Sequence, residues 1–154
     1  MLGVRTEIMK TLGFVGLVII LAGCSFATSE PDIQTVETCT SSEEYLEWFL
    51  FVTDTISRIG VIHEGTEQMT DAQLVARATN SVEETEDIQR TFDSYSDPPQ
   101  CAKEAHKFLR QYVDEYNSGW EALSVSDFDE AELHFEAALN AVENFQIELF
   151  QIGE

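Results

Sequence analysis

The chain has few of the residues from which most active sites are built. Histidine occurs three times, at His63, His106 and His134, and cysteine three times, at Cys24, Cys39 and Cys101. No two histidines stand at HxxxH or HExxH spacing, and the residues three before them are Gly60, Lys103 and Ala131 rather than glutamates. The ligand patterns of helical zinc enzymes and di-iron bundles are therefore missing. Missing too are Gly-rich phosphate loops and any local signature that pairs a Ser or Cys nucleophile with a histidine and an orienting base. Paired carboxylates occur, but in so acidic a chain they mark no general acid or base. The sequence thus predicts no catalytic residue, no metal-ligand set and no cofactor, and it places the protein outside the enzymes.

Positive charge is equally scarce. Lys and Arg total 8 against 29 Asp and Glu, a formal net charge of -21, and lysine stands only at Lys10, Lys103 and Lys107. Nucleic acid is excluded as a partner, because binding it needs cations that displace condensed counterions. Anionic headgroups are repelled for the same reason. Cationic partners, metal ions, solubility and adaptation to a salty habitat all remain as uses for the acid. At 44% hydrophobic and 10% aromatic, the chain still has the apolar material of a globular domain rather than a disordered one. Its length suits one domain.

No apolar run is long enough to span a bilayer, which takes about 20 residues. The longest, Leu12 to Ala22, follows Arg5 and Lys10 and ends in small residues, which is the layout of a secretory signal. It closes on "LAGC", Leu21 to Cys24. This motif resembles the lipobox of bacterial lipoproteins at every position. The resemblance implies that residues 1–23 are a signal peptide cut off by the lipoprotein signal peptidase. It further implies that Cys24 carries diacylglycerol, with an acyl chain such as palmitate on the new amine, and that the protein faces outside the cytoplasm on the cell membrane or outer membrane. Two or three acyl chains on one residue hold a protein stably on a membrane, where one does so only marginally. Ser25 follows, rather than the aspartate that retains enteric lipoproteins at the inner membrane.

Residues 24–40 are rich in Ser, Thr and acids, contain Pro31 and show no helical period, so they are expected to form a flexible tether. The remainder, 41–154, reads as four helices. The first opens on a capping-box pattern at Ser41 and Glu44, carries Tyr45, Trp48, Val52, Ile56 and Ile59 at helical spacing and stops at Gly65. The second opens on Thr70 and Gln73, with Val75, Thr79, Val82, Ile88, Phe92 and Tyr95 on or near one face. The third is expected to be capped by Asp97, with Pro98 at its first position, and carries the stripe Ala105, Phe108, Leu109, Tyr112, Val113, Tyr116 and Trp120. The fourth starts at Ser126 and sets Phe128, Ala131, Phe135, Ala138, Val142, Phe145, Leu149 and Ile152 in alternating steps of three and four. Matched helices and short turns predict an all-α, antiparallel up-down-up-down four-helix bundle.

Within the last two helices, Gly119, Ala122, Phe128, Ala131, Phe135 and Ala138 stand at the spacing of a single tetratricopeptide repeat, to which this stretch bears a local resemblance. No second copy lies one period earlier, so close packing in one helical hairpin is the expectation and a repeat-like peptide-binding groove the alternative. The aromatic residues read as core, with Phe51 and Phe150 off the main stripes. His134, four residues after Glu130, reads as a solvated flank. His106 lies beside the third apolar stripe and is the candidate polar site, with a backbone carbonyl as its expected partner.

With Cys24 lipidated, Cys39 and Cys101 remain as an even pair outside the cytoplasm, where disulfides persist. Both fall at helix starts that share one end of an up-down-up-down bundle, so a Cys39–Cys101 disulfide is expected. The functional expectation is a lipid-anchored, non-catalytic structural or interaction module of the cell envelope, held to the membrane through Cys24 and meeting an envelope protein partner. A solute- or metal-binding lipoprotein is the alternative.

Overall fold

The computed structural model describes residues 39–152; the expected signal peptide, Cys24 and most of the expected tether lie outside the described residues. Four helices, α1 (Glu43–His63), α2 (Asp71–Ser94), α3 (Lys103–Ser124) and α4 (Phe128–Ile152), pack as an all-α bundle. Contacts between named residues give the helix directions. Along α2 and α3, Gln89 pairs with Asp114 while Asp93 pairs with Arg110, so these two run antiparallel. Along α1 and α3, Trp48 meets His106 while Tyr116 meets Ile59, so these two run parallel. The order is up-down-up-down, as expected. None of the described helices is long and apolar enough to cross a membrane.

Helix boundaries follow local chemistry, adjusted at three places by the surroundings. Thr70 and Gln73 form a full capping box at the start of α2. Gly65 takes a left-handed φ of 77° just past α1, where a residue without Cβ costs least. Arg77 donates to the carbonyls of Val61 and Ile62 (both 3.2 Å), so a cation from α2 satisfies the last turn of α1. The cap of α1, however, is Ser42 rather than Ser41: its hydroxyl accepts from the Tyr45 amide at 3.1 Å. Ser41 belongs to a preceding 3-10 turn, Cys39–Ser41, which moves the helix start by one residue. Asp97 does not cap α3, and Pro98 is not in it. Pro99 disfavours helical backbone at Pro98, so the chain stays extended and enters α3 through a 3-10 turn at Gln100–Ala102. At α4 the cap is Asp127, whose carboxylate accepts from the Glu130 amide, while Ser126 turns the chain with a φ of 66°.

The core is aromatic at its centre. Trp48, Trp120, Tyr116, Phe92 and Phe145 are all but fully buried. The predicted seam of α4 is the buried one: Ala131, Phe135, Ala138, Val142 and Phe145 face inward. On α2 the buried face is instead Ala78, Ser81, Thr85, Ile88 and Phe92, and Thr79 is exposed with its hydroxyl on the Val75 carbonyl. Phe51 stacks on Tyr95 at 4.5 Å and is half-buried, whereas Phe150 is 68% exposed.

The tightest approach joins α3 to α4. Gly119 is buried against the Phe135 ring, and a Cβ built at Gly119 would lie 2.7 Å from a ring carbon. Trp120 and Tyr116 meet the same ring edge-on at 6.2 and 6.0 Å. The tetratricopeptide-like spacing is thus realised as close packing in one hairpin. Replacing a mid-helix glycine by alanine ordinarily stabilises a helix by up to about 1 kcal/mol. Here Gly119→Ala should destabilise, by about 1 to 3 kcal/mol for a side chain forced into a packed site. Urea unfolding with and without Phe135→Leu would check it, since the smaller residue should recover much of the loss.

Candidate functional site

The end of the bundle where α1 and α3 begin holds the candidate site residues. Cys39, in the 3-10 turn before α1, and Cys101, in the turn before α3, have Cα atoms 6.4 Å apart and their sulfurs in contact. That is within the Cα range of natural disulfides. Cys39 and Thr40, expected in the tether, thus already belong to a turn attached to the bundle.

One turn into α3 lies His106, only 8% exposed. Its partner is not a backbone carbonyl: the Trp48 indole N–H donates to His106 Nδ1 at 3.2 Å in a buried hydrogen bond. The imidazole is therefore neutral, with its proton on Nε2. Phe92 stacks on the ring with centroids 4.6 Å apart, and Tyr95 meets it at 5.9 Å. Tyr45 and Phe51 extend the aromatic cluster, against Trp48 and Phe92 respectively. Burial in this cluster disfavours the imidazolium and pushes the His106 pKa below its usual value, and the nearby Arg110 guanidinium pushes it the same way. An imidazole with one nitrogen committed to Trp48 and a ring face covered by Phe92 is arranged to join two helices.

A second polar arrangement runs between α2 and α3. Gln89 donates to Asp114 at 2.9 Å, and the buried Asn117 donates to both Gln89 and Glu121. Arg110 pairs with Asp93 in the same ladder. Across α1 and α2, Arg58 bonds Asp87 at 2.8 Å, which holds that carboxyl below the usual carboxylate range. These contacts tie neighbouring helices together, and solvent screening keeps each exposed pair weak.

His134 is less solvated than its sequence suggests. Its Nδ1 lies 2.8 Å from Glu115 of α3 and its Nε2 lies 3.4 Å from Glu130, so it bridges α3 and α4. Among the described residues no group of three or more His, Cys, Asp or Glu side chains is arranged to hold a metal ion. Tyr112 and Tyr116 are deeply buried, and burial raises both pKa values well above the ordinary phenol. The Tyr116 hydroxyl donates to the Ile59 carbonyl, a further tie from α3 to α1.

The sequence places Trp48 only on the apolar stripe of the first helix, and His106 beside the stripe of the third. Nothing local links the two, which lie 58 residues apart; the expected meeting of the Cys39 and Cys101 helix starts at one end is the signal that could have found the pair. Comparison with protein-family models, with curated proteins and with solved structures finds no match.

Three outcomes follow from this end of the molecule. The Cys39–Cys101 loop closes over a sequence separation of 62 residues. Closing a loop of that size lowers unfolded-chain entropy by an amount worth about 4 kcal/mol. Non-reducing peptide mapping should recover the linked pair, and reductant should lower the urea midpoint; two free thiols in protein handled without reductant would contradict it. For His106 the folded pKa lies below the unfolded value of 6.5, so the unfolded chain takes up the proton first. Its contribution is complete above pH 6.5 and is lost as pH falls through the depressed folded value. The denaturant midpoint should therefore drop between neutral and mildly acidic pH, and His106→Gln, which keeps an acceptor for Trp48, should flatten that slope. Trp48→Phe should cost about 1 to 3 kcal/mol by leaving a buried acceptor unmet.

Proposed function

We propose that the protein is a lipid-anchored, extracytoplasmic, non-catalytic helical bundle that serves as a structural or protein-interaction module of the cell envelope. The observation that carries this reading is the "LAGC" run ending at Cys24 behind a basic start and a short apolar stretch. Two features of the folded part agree with it. The cysteine pair suits an oxidising compartment outside the cytoplasm. The buried polar groups at the candidate site serve helix packing: His106 is engaged by Trp48, and Asn117 by Gln89 and Glu121. The close α3–α4 hairpin, with its tetratricopeptide-like spacing, is the kind of element that repeat proteins use to present a binding face.

The anchor is open to direct test. Intact-mass analysis of the protein from membranes should find a chain beginning at Cys24 and carrying diacylglycerol, and Cys24→Ala should leave the precursor uncut. A mature species cut elsewhere and bearing no lipid would refute the reading.

A further inference from the structure

The outer side of α4 carries apolar side chains where a solvent-facing helix ordinarily carries polar ones. Opposite the buried seam, steps of three and four pick out Leu133, Glu136, Asn140, Glu143, Ile147 and Phe150. Leu133, Ile147 and Phe150 are 61%, 55% and 68% exposed. Ile147 and Phe150, with Glu143, Gln146 and Gln151, line a shallow open hollow on the last turns of the helix.

The charge around this seam is one-sided. Asp129, Glu130, Glu132, Glu136, Glu143 and Glu148 all lie on α4, which has no lysine or arginine. Most cations of the other helices face other partners: Arg58 and Arg90 meet Asp87, Lys107 meets Glu104, Arg110 meets Asp93, and Arg77 caps α1, while Lys103 stands at the start of α3. Acidic residues by themselves point to no ligand, since they occur on every helix. Apolar side chains set among carboxylates that no cation of the same helix offsets do point to one: a surface that is apolar in the middle and cationic around it.

We propose that the outer seam of α4 docks a lysine- or arginine-rich amphipathic helix from a partner protein, with its apolar residues against Ile147 and Phe150 and its cations against Glu136 and Glu143. Helix-in-groove recognition works through such anchors spaced three and four apart. A second copy of this chain is a poor occupant, because it brings the same carboxylates on a net charge of -21. An anionic lipid surface is repelled for the same reason. The proposal rests on the interaction-module reading of the bundle and is independent of the lipid anchor.

The test uses the full-length gene product purified in a non-ionic detergent. Fluorescence anisotropy would compare three labelled peptides: a helix with leucines along one face and lysines elsewhere, a scramble of it without that face, and a version with glutamates for lysines. The first should bind, more weakly as salt rises, and the other two should bind far less. Phe150→Ala and Ile147→Ala should each weaken binding about tenfold, the effect of removing a central interface anchor. Glu143→Gln should reduce the salt dependence, while Leu50→Ala, at an equally exposed apolar site on α1, should change nothing. Equal binding of the scramble, or an affinity indifferent to Phe150→Ala, would overturn the proposal. So would a dimer in sedimentation, or adsorption to anionic vesicles, that Phe150→Ala abolishes. Failure here leaves the mass of the lipidated species unchanged, so the two readings fail separately.

Discussion

Every other helix packs against α3, and the burial of its stripe from Ala105 to Leu123 is the constraint on which the rest of the bundle depends. Each neighbour meets it through a different kind of contact. With α4 the contact is close and apolar, as Gly119 lets the Phe135 ring come to near backbone distance. With α2 it is a ladder of amides and carboxylates around Gln89 and Asn117. With α1 it is made by large side chains reaching across, through Trp48 to His106 and through Tyr116 to the Ile59 carbonyl. These contacts respond to different conditions. Apolar packing has no charge to titrate or screen, exposed ion pairs weaken with salt, and the α1 attachment depends on a neutral imidazole and on the cysteine pair beside it.

What was legible in the chain follows from this division. The seam of α4 could be read because large apolar residues at alternating steps of three and four have one consistent burial, and the stripe of α3 for the same reason. The buried face of α2 could not. Ala78, Ser81 and Thr85 are small or polar, and only the bulk of the neighbours on α3 and α1 makes those positions interior. Helix starts slipped where tertiary or backbone constraints overrode a local signal: a turn held by Cys39 displaced the cap from Ser41 to Ser42, and consecutive prolines delayed α3 past Asp97. The cysteine pair is legible because setting Cys24 aside leaves two cysteines, and the topology puts their helix starts together. The Trp48 partner of His106 lay at that same end, but a hydrogen bond between side chains 58 residues apart leaves no local pattern.

The geometry also gathers several features at one end. Cys39, Cys101, Trp48 and His106 lie where the chain enters the bundle, and the reversal at Ser126 carries the last turns of α4, with Ile147 and Phe150, toward that end. On the proposed reading this is the end nearest the membrane. A partner segment held on the last turns of α4 would then lie at the tethered end, with α1 fastened at its root by the cysteine pair rather than by backbone-close packing.

The bundle is thus asymmetric: the α3–α4 hairpin is its foundation, and α1 is attached to it by a covalent and aromatic joint. Amide hydrogen exchange under native conditions, followed helix by helix with and without reductant, tests it most directly. Buried amides of α3 and α4 should keep their slow exchange after reduction while those of α1 speed up markedly. If all four helices lose protection together, or if α1 stays as protected as α4 once both thiols are free, the bundle is not built in this way.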